Sequence, residues 1–347
     1  MRELIDKLEK NQKLSTEEWI GLIEEDYDTE YLFAKADKIR RQQYGEDVYI
    51  RGLIEISSYC KNNCFYCGIR RDNARAQRYR LDYEQIMECV DTGYKLGFRT
   101  FVLQGGEDMF FTSERVEKIV FDIKKRYKDC AITLSLGERS YDEYKRWFDA
   151  GADRYLLRHE TADRKHYERL HPSDMSYENR VRCLNNLREI GYQVGCGFMV
   201  GSPYQNTRNL AADMEFITDL KPHMIGIGPF ISHKETVFSE YPNGTLDLTL
   251  KLIALLRIAN PKALIPATTA LGTIAADGRE KGLKVGANVV MPNLSPKDVR
   301  SKYSLYDNKI CTGEEAAECI KCLNLRVKNT GYKIVVQRGD SKVTECF

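Results

Sequence analysis

Residues 49–68 read YIRGLIEISSYCKNNCFYCG: a short apolar run closed by two serines, then three cysteines, Cys60, Cys64 and Cys67. Short, rich in isoleucine and ended by polar residues, the run reads as a buried strand. Seven more runs of this kind follow: FRTFVLQGG (98–106), AITLSLGE (131–138), DRYLLRHE (153–160), YQVGCGFMVG (192–201), HMIGIGPF (223–230), ALIPATT (263–269) and GANVVMPN (286–293). Stretches with helical periodicity separate them, such as DYEQIMECVDTGYKLG (82–97) and SYENRVRCLNNLREIG (176–191). Strands alternating with helices imply a parallel sheet, and eight strands are the number that closes a (β/α)8 barrel. The alternative is an open doubly wound sheet. No G-x-G-x-x-G follows the first strand, and polar or glycine-rich residues end nearly every run, as they do where a barrel gathers strand ends on one face. The expected fold is therefore α/β, a complete (β/α)8 TIM barrel over residues 47–294. A helical cap (1–46), rich in Glu, Lys and Leu, precedes it. A cysteine-containing C-terminal segment (295–347) follows, with no further strand–helix repeat and a polar, mobile end, QRGDSKVTECF. The three parts are expected to form one structural unit.

With 53 Lys plus Arg against 51 Asp plus Glu, no net field draws the chain to nucleic acid or to an anionic membrane. No apolar run approaches the roughly 20 residues of a membrane span, and MRELIDKLEK lacks the apolar core of a signal peptide, so a cytoplasmic location is expected. Thiols stay reduced there, and the 11 cysteines read as metal ligands, nucleophiles or small core residues. Six fall in two groups, Cys60/Cys64/Cys67 and Cys311/Cys319/Cys322. The scattered Cys89, Cys130, Cys183, Cys196 and Cys346 read as core or incidental thiols.

Three thiolates within eight residues can wrap one metal centre at little loop-closure cost. Structural zinc would want a fourth Cys or His at finger-like spacing, and the next histidine is His159. A [4Fe–4S] cluster held by three ligands keeps one iron open for a small chelating molecule. Other strand ends supply candidate contacts for it. In LQGGED, Gly105 and Gly106 admit close backbone approach and Glu107 offers a carboxylate to an ammonium group. Ser135 ends the third run, and Arg158 and Glu160 share a face of the fourth with His159 opposite. The late set Cys311, Cys319 and Cys322 suits a second Fe–S cluster, [2Fe–2S] or [4Fe–4S], with zinc as the alternative.

C-x3-C-x2-C with an aromatic before the last cysteine resembles the signature of the radical S-adenosylmethionine (SAM) enzymes. In that family the open iron takes the SAM amino and carboxylate groups, and an electron from the cluster breaks a sulfur–carbon bond to give a 5′-deoxyadenosyl radical. The resemblance implies that Gln104, Gly105, Gly106 and Glu107 hold the SAM amino group and that Ser135 reaches its ribose or methionyl part. It likewise implies Glu160 at the ribose hydroxyls, Arg180 at the carboxylate, Met199 and Val200 along the adenine, and Tyr66 near the adenosyl group.

Longer runs narrow the resemblance. YCKNNCFYCGIRRDN (59–73), LQGGED, TLSLGE, DRYLLRHETA, GIGPFI, IPATTALGTI and GANVVMPN, with the late cysteines, are similar to the HydE maturases of [FeFe]-hydrogenase over about residues 47–325. That family implies a cavity holding SAM above a small organometallic substrate, a cysteine-bound iron carbonyl cyanide precursor of the diiron subcluster. Arg158, Met224, Thr268, Thr269, Tyr303 and Tyr306 would line the substrate cavity, with Arg158 binding an anion. HydG, HydF and a low-potential electron donor are the implied partners. Methylornithine synthase and biotin synthase share the barrel and remain alternatives, although Cys196 is one residue out of step with the strand ligand of biotin synthase. An Fe–S carrier or scaffold is the non-enzymatic alternative, against which the SAM-pocket residues stand.

Overall fold

The structure is a computed structural model, and it describes residues 1–25, 27–310 and 319–344. Its strands are β1 (Asp47–Ile50), β2 (Gly52–Ser57), β3 (Thr100–Gly105), β4 (Ala131–Ser135), β5 (Arg154–Leu156), β6 (Gln193–Cys196), β7 (Met199–Val200), β8 (Met224–Ile225), β9 (Gly228–Pro229), β10 (Val289–Val290) and β11 (Lys333–Val335). Six form the main sheet in the order β2-β3-β4-β5-β6-β8, every pair parallel. This is the sequential order expected of strands joined by crossover helices.

The expected eight full strands are not all formed, and the described sheets do not close. Residues 263–269 contribute only isolated parallel bridges, Leu264 to Met224 and Pro266 to Val289, and the eighth run gives the two-residue β10 and a bridge from Asn293 to Leu53. Proline explains the interruption: Pro266 and Pro292 have no N–H to give a ladder.

Helices follow the strands where their caps are written in the sequence. Tyr83–Lys95 starts at a capping box between Asp82 and Gln85, Tyr141–Asp149 at one between Ser140 and Glu143, and Thr207–Leu220 at one between Asn206 and Asn209. Each such cap contributes about 1 kcal/mol. Helix Leu246–Ala259 is buried nearly all round because it lies under a further layer. That layer is the N-terminal region expected as a cap, the helices Arg2–Asn11, Thr16–Glu24 and Glu30–Tyr44, which pack on Thr207–Leu220 and Leu246–Ala259. Trp19, Leu22 and Leu32 are fully buried in the seam.

The C-terminal segment departs from expectation. It holds a helix, Ile320–Lys328, and β11, which pairs in parallel with β1. Its polar end is tied down by a buried cation. Arg154 on β5 donates to the carbonyls of Arg338 and Gly339, to Thr100 Oγ1 and to the Asp340 carboxylate at 2.6 Å. Arg338 in turn lies 2.9 Å from Asp153. A guanidinium that is 2% exposed needs such acceptors, and a stretch legible only as polar supplies them. Among the described residues no helix is long and apolar enough to cross a membrane.

Candidate active site

A cavity of about 350 Å³ lies at the C-terminal ends of the main-sheet strands. The loop after β2 brings Cys60 and Cys67 to its wall, with Tyr66 between them in sequence. Cys64 is half-buried beside them, its Sγ 3.7 Å from Met175 Sδ. Burial raises all three thiols; the charge of neighbouring thiols adds to it at Cys64 and at Cys67, which is pushed up to about 12, and the charge of Glu107 adds to it at Cys60. A cationic centre shared among them would offset that cost and hold them as thiolates. Among the described residues no three His, Cys, Asp or Glu side chains converge as around a lone metal ion. Cys60 and Cys67 border a space instead, with Cys64 beside them, and that space fits a cluster of several irons.

The loop after β3 presses against the cysteine loop. A Cβ on Gly106 would come 2.2 Å from the Tyr59 carbonyl oxygen and 2.8 Å from Cys60 Cβ, so only glycine permits the contact. Gln104, Gly105, Gly106 and Glu107 all face the cavity. Glu107 is buried and lies 3.3 Å from the Lys61 ammonium, yet its Oε2 accepts no hydrogen bond. Ser135, at the end of β4, lines the same space.

Beyond β5 the backbone turns so that Glu160 takes φ +67, a conformation that costs a non-glycine residue roughly 1–2 kcal/mol. Glu160 and Arg158 reach the cavity together, Nη2 to Oε2 at 3.3 Å, and Glu160 Oε2 likewise accepts no hydrogen bond. His159 points the other way, fully buried against Phe216 and 3.3 Å from Asp213. The alternation read from YLLRHE is therefore the one observed.

Arg180 lies on helix Tyr177–Ile190, lines the cavity, bonds Glu138 and donates to the Arg158 carbonyl at 2.8 Å. Burial works against its charge, but Tyr167, Glu138 and Glu107 outweigh it and the guanidinium stays protonated. Tyr66 is oriented by His171. Burial, aided by Arg180, lowers that imidazole to about 3, so it is neutral, and its Nδ1–H donates to the Tyr167 carbonyl. Its Nε2 is then the acceptor for the Tyr66 hydroxyl at 3.2 Å.

Met199, Met224, Thr268, Thr269, Tyr303 and Tyr306 line the cavity as well. Thr268 Oγ1 is buried without a hydrogen-bond partner, while Gln104 donates to the Tyr303 hydroxyl at 3.4 Å. Val200 does not line it. Successive strand residues face opposite ways, and Val200 points into the main hydrophobic core while Met199 packs with Phe230 and Phe238. Cys196 is fully buried in that same core, away from the cavity. Cys319 and Cys322 are joined as a disulfide, with Cα atoms 5.3 Å apart at the start of helix Ile320–Lys328, and Cys311 lies outside the described residues. Among the cavity-facing or cavity-supporting residues that the sequence did not point to are Glu55, Glu138, His171 and Lys309. Glu55 had a visible signal, an acid in the middle of the apolar run GLIEIS; Lys309 had none.

A pocket edged by Cys60 and Cys67 with Cys64 close by, with orphaned carboxylate oxygens at Glu107 and Glu160 and glycines that admit close approach, fits an iron–sulfur cluster with SAM beside it. Residues 54–217 match the family model described as the Radical SAM superfamily. The chain is 44% identical over 334 residues to the [FeFe] hydrogenase maturase subunit HydE of Thermotoga maritima, covering 96% of this chain and 95% of that protein. To 3-methylornithine synthase of Methanosarcina acetivorans it is 28% identical over 347 residues, 98% and 96% of the two chains. The crystal structure of methylornithine synthase (PylB) superposes with a TM-score of 0.82 at 27% identity, over 96% of this chain and 97% of that one. Fold and site together define a radical SAM enzyme. Within that class, the chain belongs to the family of the hydrogenase maturase subunit HydE.

Proposed function

We propose that this chain matures [FeFe]-hydrogenase, acting on a cysteine-bound iron carbonyl cyanide precursor of the diiron subcluster. The observation that carries this is the 44% identity to a HydE protein over nearly the whole of both chains. Cys60, Cys64 and Cys67 would hold a [4Fe–4S] cluster. When bound, cluster and SAM supply the reductive cleavage of a sulfur–carbon bond and with it a 5′-deoxyadenosyl radical. The chain's own task is to hold SAM and substrate in register and keep water out. Glu107 and its glycine turn would take the SAM ammonium, Arg180 its carboxylate, Glu160 its ribose hydroxyls and Ser135 its ribose or methionyl part. Met199 would offer an apolar face and Tyr66 an aromatic edge.

Arg158, Met224, Thr268, Thr269, Tyr303 and Tyr306 would contact the substrate, Arg158 as the cation for its anionic part. The bridges at Leu264, Pro266 and Asn293 support a complete barrel around this cavity, with residues 1–46 and 295–347 built onto a barrel of residues 47–294 as one unit. A second Fe–S cluster on Cys311, Cys319 and Cys322, formed once the Cys319–Cys322 disulfide is reduced to thiolates, a cytoplasmic setting, HydG and HydF as partners and a low-potential electron donor belong to the same reading.

The test is an anaerobic in vitro maturation mixture lacking only HydE. Adding the reconstituted protein is expected to restore hydrogen evolution by the [FeFe]-hydrogenase. The likeness to PylB keeps one other reading in view, an amino-acid substrate of the methylornithine type. Protein that forms 5′-deoxyadenosine but restores no hydrogenase activity would favour it.

A further inference from the structure

Two charged side chains on the cavity wall have no part in the roles above. Glu55, on β2, and Lys309, on the segment after Tyr303, both line the cavity and meet Oε1 to Nζ at 2.5 Å. Their side chains are 1% and 9% exposed. Lys309 also donates to the Tyr303 carbonyl at 2.9 Å, so two of its three N–H groups are engaged. Glu55 Oε2 accepts from Asn293 Nδ2 at 2.9 Å, and each carboxylate oxygen keeps a further lone pair.

The pair is held firmly in place. Backbone N–H of Gly68 donates to the Leu305 carbonyl at 2.9 Å, that of Asp307 to the Ser232 carbonyl at 3.0 Å, and that of Lys234 to the Asp307 carboxylate at 2.8 Å. The segment that carries Lys309 is thereby fixed to the cysteine loop and to the loop after β9. Glu55 is fixed through its own backbone, whose N–H donates to Ser295 Oγ at 2.8 Å and whose carbonyl accepts from Tyr79 at 2.8 Å.

Stability alone does not call for such a pair, since apolar residues of like volume generally serve as well as a buried ion pair. A fixed acid and base side by side on a cavity wall do, however, match a ligand bearing one charge of each sign. We propose that Glu55 and Lys309 form a subsite for the α-amino-acid head group of the substrate, its carboxylate on Lys309 and its ammonium on Glu55. The subsite rests on the functional reading above in placing the substrate in this cavity; an ornithine-type substrate carries such a head group, the cysteine-bound iron species carries one where its amine and carboxylate are not iron ligands, and Arg158 is left for the charge on the cyanide-bearing iron.

The probe is S-methyl-L-cysteine, titrated into the reconstituted holoenzyme with SAM under anaerobic conditions. Two analogues serve as comparators: 2-(methylthio)ethylamine, which lacks the carboxylate, and 3-(methylthio)propionate, which lacks the ammonium. Wild type is expected to bind the amino acid at least tenfold more tightly than either analogue. Lys309→Met is expected to erase the preference over the amine, Lys309→Arg to keep most of it, and Glu55→Gln to erase the preference over the acid. A merely structural ion pair would weaken all three ligands alike and leave the ratios standing. Unchanged ratios in both neutral variants overturn the proposal, as does wild type that does not bind the amino acid more tightly than its analogues. Should Lys309→Met fail to fold, the ratios of Lys309→Arg and Glu55→Gln decide. A chain that passes this test yet restores no hydrogenase overturns the maturase reading and keeps the subsite; restored hydrogenase with unchanged ratios does the reverse.

Discussion

Gly137 sits at φ +77, and a Cβ built on it would lie 1.9 Å from Glu107 Cγ. Substitution there has two separable consequences. The left-handed backbone costs an L-residue roughly 1–2 kcal/mol, and the methyl group drives the Glu107 carboxylate out of the cavity. Gly137→Ala is therefore expected to lower the thermal midpoint and to weaken SAM binding at least tenfold, measured by equilibrium binding to the reconstituted protein. Gly45→Ala is the control, because Gly45 has φ +57 but nothing within 4 Å of its added Cβ. It should show the loss of stability and no loss of SAM affinity. Equal SAM binding by wild type and Gly137→Ala would mean that Glu107 does not touch SAM. At this scale much of the site was legible in sequence, because loops with three cysteines or paired glycines declare their chemistry locally. Val200 was misjudged where the alternation of strand side chains already offered the correction: of two adjacent residues, only Met199 faces the cavity.

At the scale of elements, the C-terminal residues beyond β11 are tied to the rest by the charges of Arg338 and Asp340. Burial pushes the Asp340 carboxyl up, but its bonds to Arg338 and Arg154 outweigh burial and hold it below the usual carboxylate range. A carboxylate depressed on folding contributes stability that is fully present above its unfolded pKa, about 3.9, and is lost as pH falls through its folded value. Asp340→Asn is thus expected to cost about 1 kcal/mol after allowance for its exposure. Its thermal midpoint should lie below that of wild type by a constant few degrees between pH 5 and 8, and the gap should close as pH drops below about 4. A gap that widens in acid would contradict the assignment. Helices were legible because their caps are local, as at Asp82–Gln85 and Ser140–Glu143. The seventh strand was not, since whether Pro266 leaves a ladder or a single bridge depends on neighbours distant in sequence.

For the molecule as a whole, the cavity is assembled from chain positions far apart. Glu55 and Lys309 are 254 residues apart and meet on one wall. Residue patterns announce a cysteine loop, but nothing near Lys309 announces the acid it will face, so that half of the site waits for the fold. The closure of the C-terminal segment on Arg154 is legible only at this scale for the same reason.

If Cys60, Cys64 and Cys67 hold the cluster for SAM chemistry in the service of hydrogenase maturation, loss of one thiol must silence both. The most direct test assays 5′-deoxyadenosine and hydrogen evolution together in one anaerobic maturation mixture, with wild type and with Cys64→Ala. Wild type is expected to give both signals and the variant neither. Hydrogen evolution that persists with Cys64→Ala, in a mixture dependent on the added protein, would overturn the assignment.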